Sequence, residues 1–180
     1  MAMKSWHPEA KRIRLPDAGS FLGGGKKIVY HTTEGSSVDG AVSALRAANA
    51  ASHFVINPHG KRTELVQLIP LHLAARSLAH PSGPETNRAN AIQIEIVGFS
   101  AEAHDWSDRT YENLRGLTRW IHRAFGVPLR CDVTFKASGA RRLSGSDFFE
   151  YEGLIGHQHV PGNDHTDPGD FRVGKILEDR

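Results

Sequence analysis

The sequence predicts an α/β domain in which a mixed central β-sheet is flanked by helices. Three observations carry this prediction. Runs of β-forming residues alternate with helical patterns, two neighbouring runs read as a hairpin, and 180 residues suit one compact domain. The chain contains no visible internal repeat and no low-complexity segment, so a single hydrophobic core is expected.

Short runs rich in β-formers predict the strands, which we place at 27–31, 53–56, 63–69 and 91–97. The segment NPHGKR separates the second run from the third, and Gly60 in it supplies a turn residue, which favours a hairpin. In the last run, AIQIEIV, isoleucines alternate with Gln93, Glu95 and Val97. The alternation places Glu95 on the face of the strand opposite the isoleucines.

Helical periodicity predicts two main helices, at 38–50 and 108–125. The second has the clearer apolar stripe, and Ser107 or Asp108 can cap its start, while Gly126 ends it. A short closing helix is expected within 168–178. The stretch ARRLSGSD, at 140–147, gives no regular pattern, and we expect it to be irregular.

Residues 1–25 are largely polar and end in GGG, which predicts an extended N-terminal arm before a domain at 26–180. The N-terminus lacks the apolar segment of a secretory signal, and no run of 18 apolar residues occurs. We therefore expect no membrane insertion and a protein that stays in the cytoplasm where it is made unless it leaves by a route that needs no signal.

The composition narrows the chemistry. A formal charge of +2 is too small to indicate nucleic acid as a partner. Cys131 is the only cysteine, which excludes cysteine-rich zinc motifs. The 11 histidines are unusual and favour metal binding or acid–base chemistry.

The segment GHQHVPGNDHTDPG, at 156–169, holds three histidines and two aspartates between prolines and glycines. It reads as a loop, because proline removes a backbone donor and fixes φ. His31, at the end of the first strand, and His157 and Asp167, which bracket this loop, supply two imidazoles and one carboxylate. A catalytic zinc needs three such ligands and an open position for water. His159 and Asp164 are rival ligands in the same loop.

Together the motifs YHTTEG, IEIVG and GHQHVPGNDHTDPG resemble those of the zinc-dependent type 2 N-acetylmuramoyl-L-alanine amidases, which share the fold of peptidoglycan recognition proteins. The resemblance runs from about Lys27 to Phe171. Parts of the chain also resemble actinobacterial and actinobacteriophage members of the family. It implies a type 2 amidase-like fold, with 26–180 as the zinc amidase catalytic domain.

Carried over by position, the resemblance implies that His31, His157 and Asp167 are the Zn²⁺ ligands and that Glu95 is the acidic catalytic residue. His165 stands where many members have a catalytic lysine, and a protonated histidine could serve in its place. The segments that border the substrate groove in this family also imply contacts from His80, Asn87 and Arg88.

The resemblance implies hydrolysis of the amide between N-acetylmuramic acid and L-alanine in peptidoglycan. We expect a monomer. Without a signal, a phage endolysin is favoured, made in the host cytoplasm and acting at the wall after release, and a cytosolic recycling amidase is the alternative. Two other functions fit the sequence less well. A non-catalytic wall-binding module would lack a ligand, and all three positions are filled; an HNH-type nuclease would need a ββα-metal hairpin, which a loop with two prolines fits poorly.

Overall fold

The computed structural model describes residues 5–78 and 84–179. One six-stranded sheet lies at its centre, with the strand order β1-β4-β3-β5-β2-β6. The strands are Lys11–Arg12 (β1), Lys27–Thr32 (β2), Phe54–Asn57 (β3), Glu64–Gln67 (β4), Ala91–Ile96 (β5) and Gly153–Gly156 (β6). The helices are Val38–Ala47 (α1), Asp108–Phe125 (α2), Gly145–Glu150 (α3) and Val173–Leu177 (α4), with 3₁₀ turns at Ser100–Asp105 and His157–His159.

The sheet is mixed, as the sequence predicts. β3 and β4 form the expected antiparallel hairpin. The pairs β3–β5, β5–β2 and β2–β6 are parallel, and so is the edge pair β1–β4. Parallel neighbours require crossovers, and the long segment with α2 provides the connection from β5 to β6. The carboxyl ends of β5, β2 and β6 consequently meet at one edge of the sheet.

The two faces of the sheet pack against different partners. Tyr30 and Ile94 point towards α2 and belong to the larger core cluster, which also contains Leu114 and Ile121 of that helix. The opposite face packs on α1 through a smaller cluster that includes Val42. Because side chains alternate along a strand, His31 and Glu95 project from the α1 face.

The main helix begins and ends where its sequence indicates. The backbone N–H of Thr110 donates to Ser107 Oγ at 3.2 Å, so Ser107 is the N-cap. Gly126 closes the helix with a φ of 86°, a left-handed conformation that glycine adopts without steric cost.

Two elements correct the sequence reading of the region before the histidine loop. The stretch at 140–147 is not irregular throughout, because α3 begins at Gly145 with Ser144 as its N-cap. The strand β6 follows it and pairs with β2, although GLIG is too short for a periodic signal. The helix α1 ends at Ala47, three residues before the predicted limit.

The described part of the arm, residues 5–25, runs along the sheet. Its residues 11–12 form β1 at the edge beside β4. The backbone N–H of Ile13 donates to Gln67 O at 3.1 Å, and Leu15 is buried in the smaller core cluster. The arm therefore contributes both hydrogen bonds and apolar packing to the sheet.

Within the described residues, no helix has the length and apolar character needed to cross a membrane.

Candidate metal centre

Three of the predicted site residues lie on, or directly after, adjacent parallel strands. In the register of β2 and β5, His31 pairs with Glu95. On the other side of β2, Tyr30 pairs with Gly156, so His157 follows the end of β6 beside His31. Neighbouring strands lie about 4.8 Å apart, and paired residues point to the same face. The sheet alone thus places Glu95, His31 and His157 in one row.

Asp167 reaches this row because the loop folds back on the 3₁₀ turn that follows β6. Gln158 is fully buried, and its Nε2 donates to the carbonyls of Thr166 at 3.1 Å and Gly169 at 2.8 Å. The backbone N–H of Gln158 also donates to the Asp167 carbonyl at 2.9 Å. These bonds hold the Thr166–Gly169 turn against the turn that carries His157.

The close approach of these two segments requires a glycine at the end of β6. A Cβ atom at Gly156 would lie 2.6 Å from atoms of both Phe135 and Pro168. Real side chains are not found at such distances, so the Pro168 ring can pack here only because position 156 has no side chain.

The ligand atoms converge. His31 Nδ1 lies 3.2 Å from His157 Nδ1, and Asp167 places one carboxylate oxygen 3.6 Å from the first and the other 3.1 Å from the second. All three residues are buried, and their ligand atoms lie within 4.8 Å of one another. The backbone N–H of Thr32 donates to Asp167 Oδ2 at 3.3 Å and helps to fix the carboxylate.

These separations fit a tetrahedral zinc site. Bonds of about 2.0–2.1 Å to a tetrahedral ion separate the ligand atoms by roughly 3.3–3.4 Å. The separation of the two ring nitrogens, 3.2 Å, and that of His157 Nδ1 from Asp167 Oδ1, 3.1 Å, are both close to that value, and Asp167 Oδ2 faces His31 Nδ1 at 3.6 Å. The hydrogen-bonding roles of the two ring nitrogens depend on the tautomer of each ring. When both rings carry their proton on Nε2, both Nδ1 atoms present a lone pair that a shared cation can accept.

The protonation states suit metal binding. Burial, with His157 nearby, lowers the pKa of His31 to about 3, so its imidazole is neutral and has a free lone pair. Burial by itself would raise the pKa of Asp167, but contacts with the His157 and His165 rings hold it well below its usual range. His31 therefore offers a neutral nitrogen and Asp167 an ionised oxygen, which are the forms that bind metal.

Glu95 lies in the same cleft, which has a volume of about 330 Å³. Its side chain is buried, and burial together with the charge of Asp167 raises its pKa to about 8. Without a cation the carboxyl group is therefore largely protonated at neutral pH. A bound divalent ion would oppose this shift by favouring the carboxylate.

His165 lies on the outer side of the centre. Its ring stacks on His157 with centroids 4.3 Å apart, and its Nδ1 is 3.6 Å from Asp167 Oδ1. The contact with Asp167 raises the pKa of His165, which favours the protonated form. Its side chain is 56% exposed, so it can meet a bound substrate at the rim of the cleft.

The rival ligands point elsewhere. His159 is buried, but its Nε2 lies 3.0 Å from the Thr134 carbonyl and its Nδ1 accepts from Gly156 N at 3.1 Å. Asp164 is exposed and is not part of the group of three converging ligands. The sheet register and the loop therefore select His31, His157 and Asp167.

The predicted substrate contacts lie farther along the cleft. Asn87 and Arg88 line an adjoining bay, and both polar atoms of the Asn87 amide hydrogen-bond to the backbone of Leu78. The Nε of Arg88 donates to Ser20 O at 2.8 Å. His80 lies outside the described residues. Contact of these residues with substrate stays a prediction.

Sequence reasoning missed Gln158, although it lies next to a predicted ligand. A glutamine in a polar loop gives no sign that it is buried, and its partners Thr166 and Gly169 become neighbours only in the fold. Its position directly after His157 is the one local hint.

The family model of N-acetylmuramoyl-L-alanine amidases matches residues 24–170, most of the chain. No curated protein matches it in a sequence search. Among solved structures, a selenomethionine derivative of AmpD superposes with a TM-score of 0.60 at 19% identity, covering 98% of this chain and 97% of that one. The hydrolase AmiA of Staphylococcus aureus superposes with a TM-score of 0.61 at 14% identity, covering 96% of this chain and 82% of that one. The endolysin LysCS from Clostridium intestinale URNW, an N-acetylmuramoyl-L-alanine amidase, superposes with a TM-score of 0.57 at 17% identity. The match covers 96% of this chain and 95% of that one. At these identities the structures support the fold.

Proposed function

The chain belongs to the N-acetylmuramoyl-L-alanine amidase family, and from this premise we propose that it uses a zinc ion held by His31, His157 and Asp167. The reaction is hydrolysis of the amide bond between N-acetylmuramic acid and L-alanine in peptidoglycan. The observation that supports the zinc assignment is the convergence of three buried side chains, each offering one ligand atom, with these atoms within 4.8 Å of one another and the two ring nitrogens 3.2 Å apart.

When bound, zinc supplies Lewis-acid polarisation of the scissile carbonyl and lowers the pKa of water. Glu95 opens onto the same cleft and accepts the proton of the attacking water at its carboxylate, then passes it to the leaving amine. His165, when protonated, donates a hydrogen bond to the oxygen that becomes negative as the carbonyl is attacked. The buried positions of His31 and Asp167 exclude bulk water from the inner side of the centre.

All three ligands come from one chain, so the centre needs no second copy, and we expect a monomer. We further propose that the enzyme acts on intact walls, as an endolysin does, after release from the cell in which it is made. Turbidity loss of purified walls would support this use, whereas cleavage restricted to soluble muropeptides would favour a recycling amidase.

One experiment tests the proposal. Chelator-stripped protein, with and without added zinc, is incubated with purified peptidoglycan, and the products are analysed by mass spectrometry and by labelling of new amino termini. We expect zinc-dependent release of stem peptides that begin with L-alanine.

His31→Ala should release none, whereas Asp164→Asn, in the exposed part of the same loop, should behave like the wild type. Zinc-independent release, or cleavage in the glycan, would contradict the proposal.

A further inference from the structure

The main chain of His165 is held on both sides, although the loop that carries it is exposed. Its N–H donates to Asn163 Oδ1 at 2.8 Å. Its carbonyl accepts from Nη2 of Arg142 at 3.1 Å. The Asn163 amide group also donates to the Val160 carbonyl, so this contact lies within the loop. Arg142 lies 23 residues earlier in the chain and holds His165 from outside the loop.

The environment of Arg142 differs from that of an ordinary surface arginine. The residue is half-buried, and its Nε is removed from solvent without a hydrogen-bond partner among the described residues. A buried donor that stays unpaired costs roughly 1–3 kcal/mol. An arginine that served only to keep the surface charged would turn its whole guanidinium group to water. The position of Arg142 therefore indicates a role for the contact that it does make.

The chain next to Arg142 is anchored. The backbone N–H of Leu143 donates to His159 O at 2.9 Å, and Leu143 packs against the core cluster that contains Val160. The next residue, Ser144, is the N-cap of α3. Arg142 thus extends from a segment that is fixed both to the 3₁₀ turn after β6 and to α3, and it reaches the His165 carbonyl from this fixed base.

Arg141 precedes Arg142 and has different surroundings. It is exposed and lines a separate hollow of about 290 Å³ together with Lys136 and His159. This hollow shares no lining residue with the cleft at the metal centre, whereas His165 lines that cleft. The two arginines carry the same charge at adjacent positions, so Arg141 is a matched control for Arg142.

We propose that Arg142 is a positioning residue for the reaction, which acts by holding the His165 carbonyl and thereby fixing the imidazole at the rim of the cleft. This inference rests on the proposed function, because the position of His165 matters only if its ring meets the reacting carbonyl oxygen. A donor stabilises a developing negative charge at about 2.7–3.1 Å, and a misplacement of about 1 Å can cost about 10²-fold in rate. The effect of Arg142 therefore falls on turnover and not on metal binding.

Steady-state kinetics with a soluble peptidoglycan fragment test the proposal. For zinc-loaded Arg142→Met, which keeps the aliphatic chain but cannot donate, we expect kcat to fall about tenfold or more with little change in KM. Zinc affinity, measured by chelator competition, should stay at the wild-type value. Arg142→Lys should recover part of the loss, because its ammonium group can still donate to the carbonyl. Arg141→Met should match the wild type.

The same variants distinguish positioning from direct binding of an anionic wall. A higher KM with an unchanged kcat in Arg142→Met would mean that the guanidinium group meets the substrate itself, and the positioning role would be wrong. Equal losses in Arg141→Met and Arg142→Met would also contradict it, because they would make the charge of the surface the cause.

A double-mutant cycle tests whether Arg142 acts through His165. In a protein that already carries His165→Ala, Arg142→Met should have little further effect on kcat, because the group that it positions is gone. General damage to the fold would lower kcat by the same factor in both backgrounds, and that result would overturn the proposal.

NMR of the metal-free protein gives a measurement that does not depend on activity. The His165 ring stacks on His157 with centroids 4.3 Å apart, so its proton resonances report the position of the ring. In Arg142→Met these resonances should move towards those of a solvated histidine, and in Arg141→Met they should not. Unchanged resonances in Arg142→Met would exclude the positioning role. A wild type that releases no peptide beginning with L-alanine would instead overturn the proposed function.

Discussion

At the residue scale, Glu95 lies beside the metal ligands but has a different role from theirs. It pairs with His31 across the sheet, yet it is not one of the three converging ligands. We therefore expect Glu95→Gln, which preserves shape but cannot accept a proton, to keep its zinc and to lose about 10²- to 10⁴-fold in kcat. Metal analysis together with steady-state kinetics measures both quantities. Full activity in this variant would remove Glu95 from the mechanism.

Asp167 is the one proposed ligand with a negative charge, and this charge is expected to contribute to zinc affinity. Asp167→Asn keeps an oxygen for the N–H of Thr32 but removes the negative charge beside the two imidazoles. We expect zinc affinity to fall by at least tenfold, since the loss of a charged ligand costs metal binding directly. Competition with a chromogenic chelator gives the affinity.

His159→Gln is an informative comparison for Asp167→Asn. His159 lies in the same loop but bonds to Thr134 and Gly156, so this variant should change stability far more than zinc affinity. Unchanged zinc binding in Asp167→Asn would show that the ligand set is wrong.

At the scale of elements, the meeting of β6 and the Thr166–Gly169 turn depends on the missing side chain at Gly156. In Gly156→Ala the new methyl group would collide with Phe135 and Pro168, and one of the two must move. We expect a loss of about 1–3 kcal/mol in the free energy of unfolding, with weaker zinc binding because Pro168 adjoins Asp167. Denaturant unfolding and chelator competition measure the two effects.

Gly174→Ala is the control for Gly156→Ala, because a Cβ atom there has nothing within 4 Å. A Gly156→Ala protein as stable as this control would mean that the two segments can separate at no cost.

The elements also show what the sequence can and cannot predict. The sequence predicts β5 and α2 nearly to their ends, because both carry a local signal. Apolar and polar residues alternate over the six residues of β5, and an apolar stripe follows the eighteen residues of α2. β1 and β6 were missed, since two and four residues carry no period and owe their conformation to the strands beside them. The row formed by Glu95, His31 and His157 follows from a register that no local pattern encodes, so only the family motifs indicated it.

At the scale of the whole molecule, Lys27 links segments that are distant in the chain. Its ammonium group donates to the carbonyls of Gly25 at 2.5 Å, Ala89 at 2.6 Å and Phe149 at 3.4 Å. It also lies 5.0 Å from the centre of the Phe148 ring. One fully buried lysine thus ties the end of the arm, the loop before β5 and the helix α3 to the first residue of β2. These are the segments that frame the two strands carrying His31 and Glu95.

The same lysine predicts a pH dependence of stability. Burial lowers the pKa of Lys27 from 10.5 to about 8 in the folded protein, with partial compensation by Glu150 and Glu152. Between these two values the unfolded chain binds more protons than the folded one, so this group makes the free energy of unfolding rise with pH across that window. Relative to Lys27→Met, which cannot titrate, we expect the wild type to gain about 3 kcal/mol between pH 8 and 10.5. Urea unfolding of both proteins at several pH values measures the difference, with exposed Lys11→Met as the control whose difference from the wild type should stay flat. A flat difference for Lys27→Met as well would mean that the three carbonyls and the Phe148 ring stabilise the ammonium group as fully as water does, and that the lysine holds its segments together at no electrostatic cost.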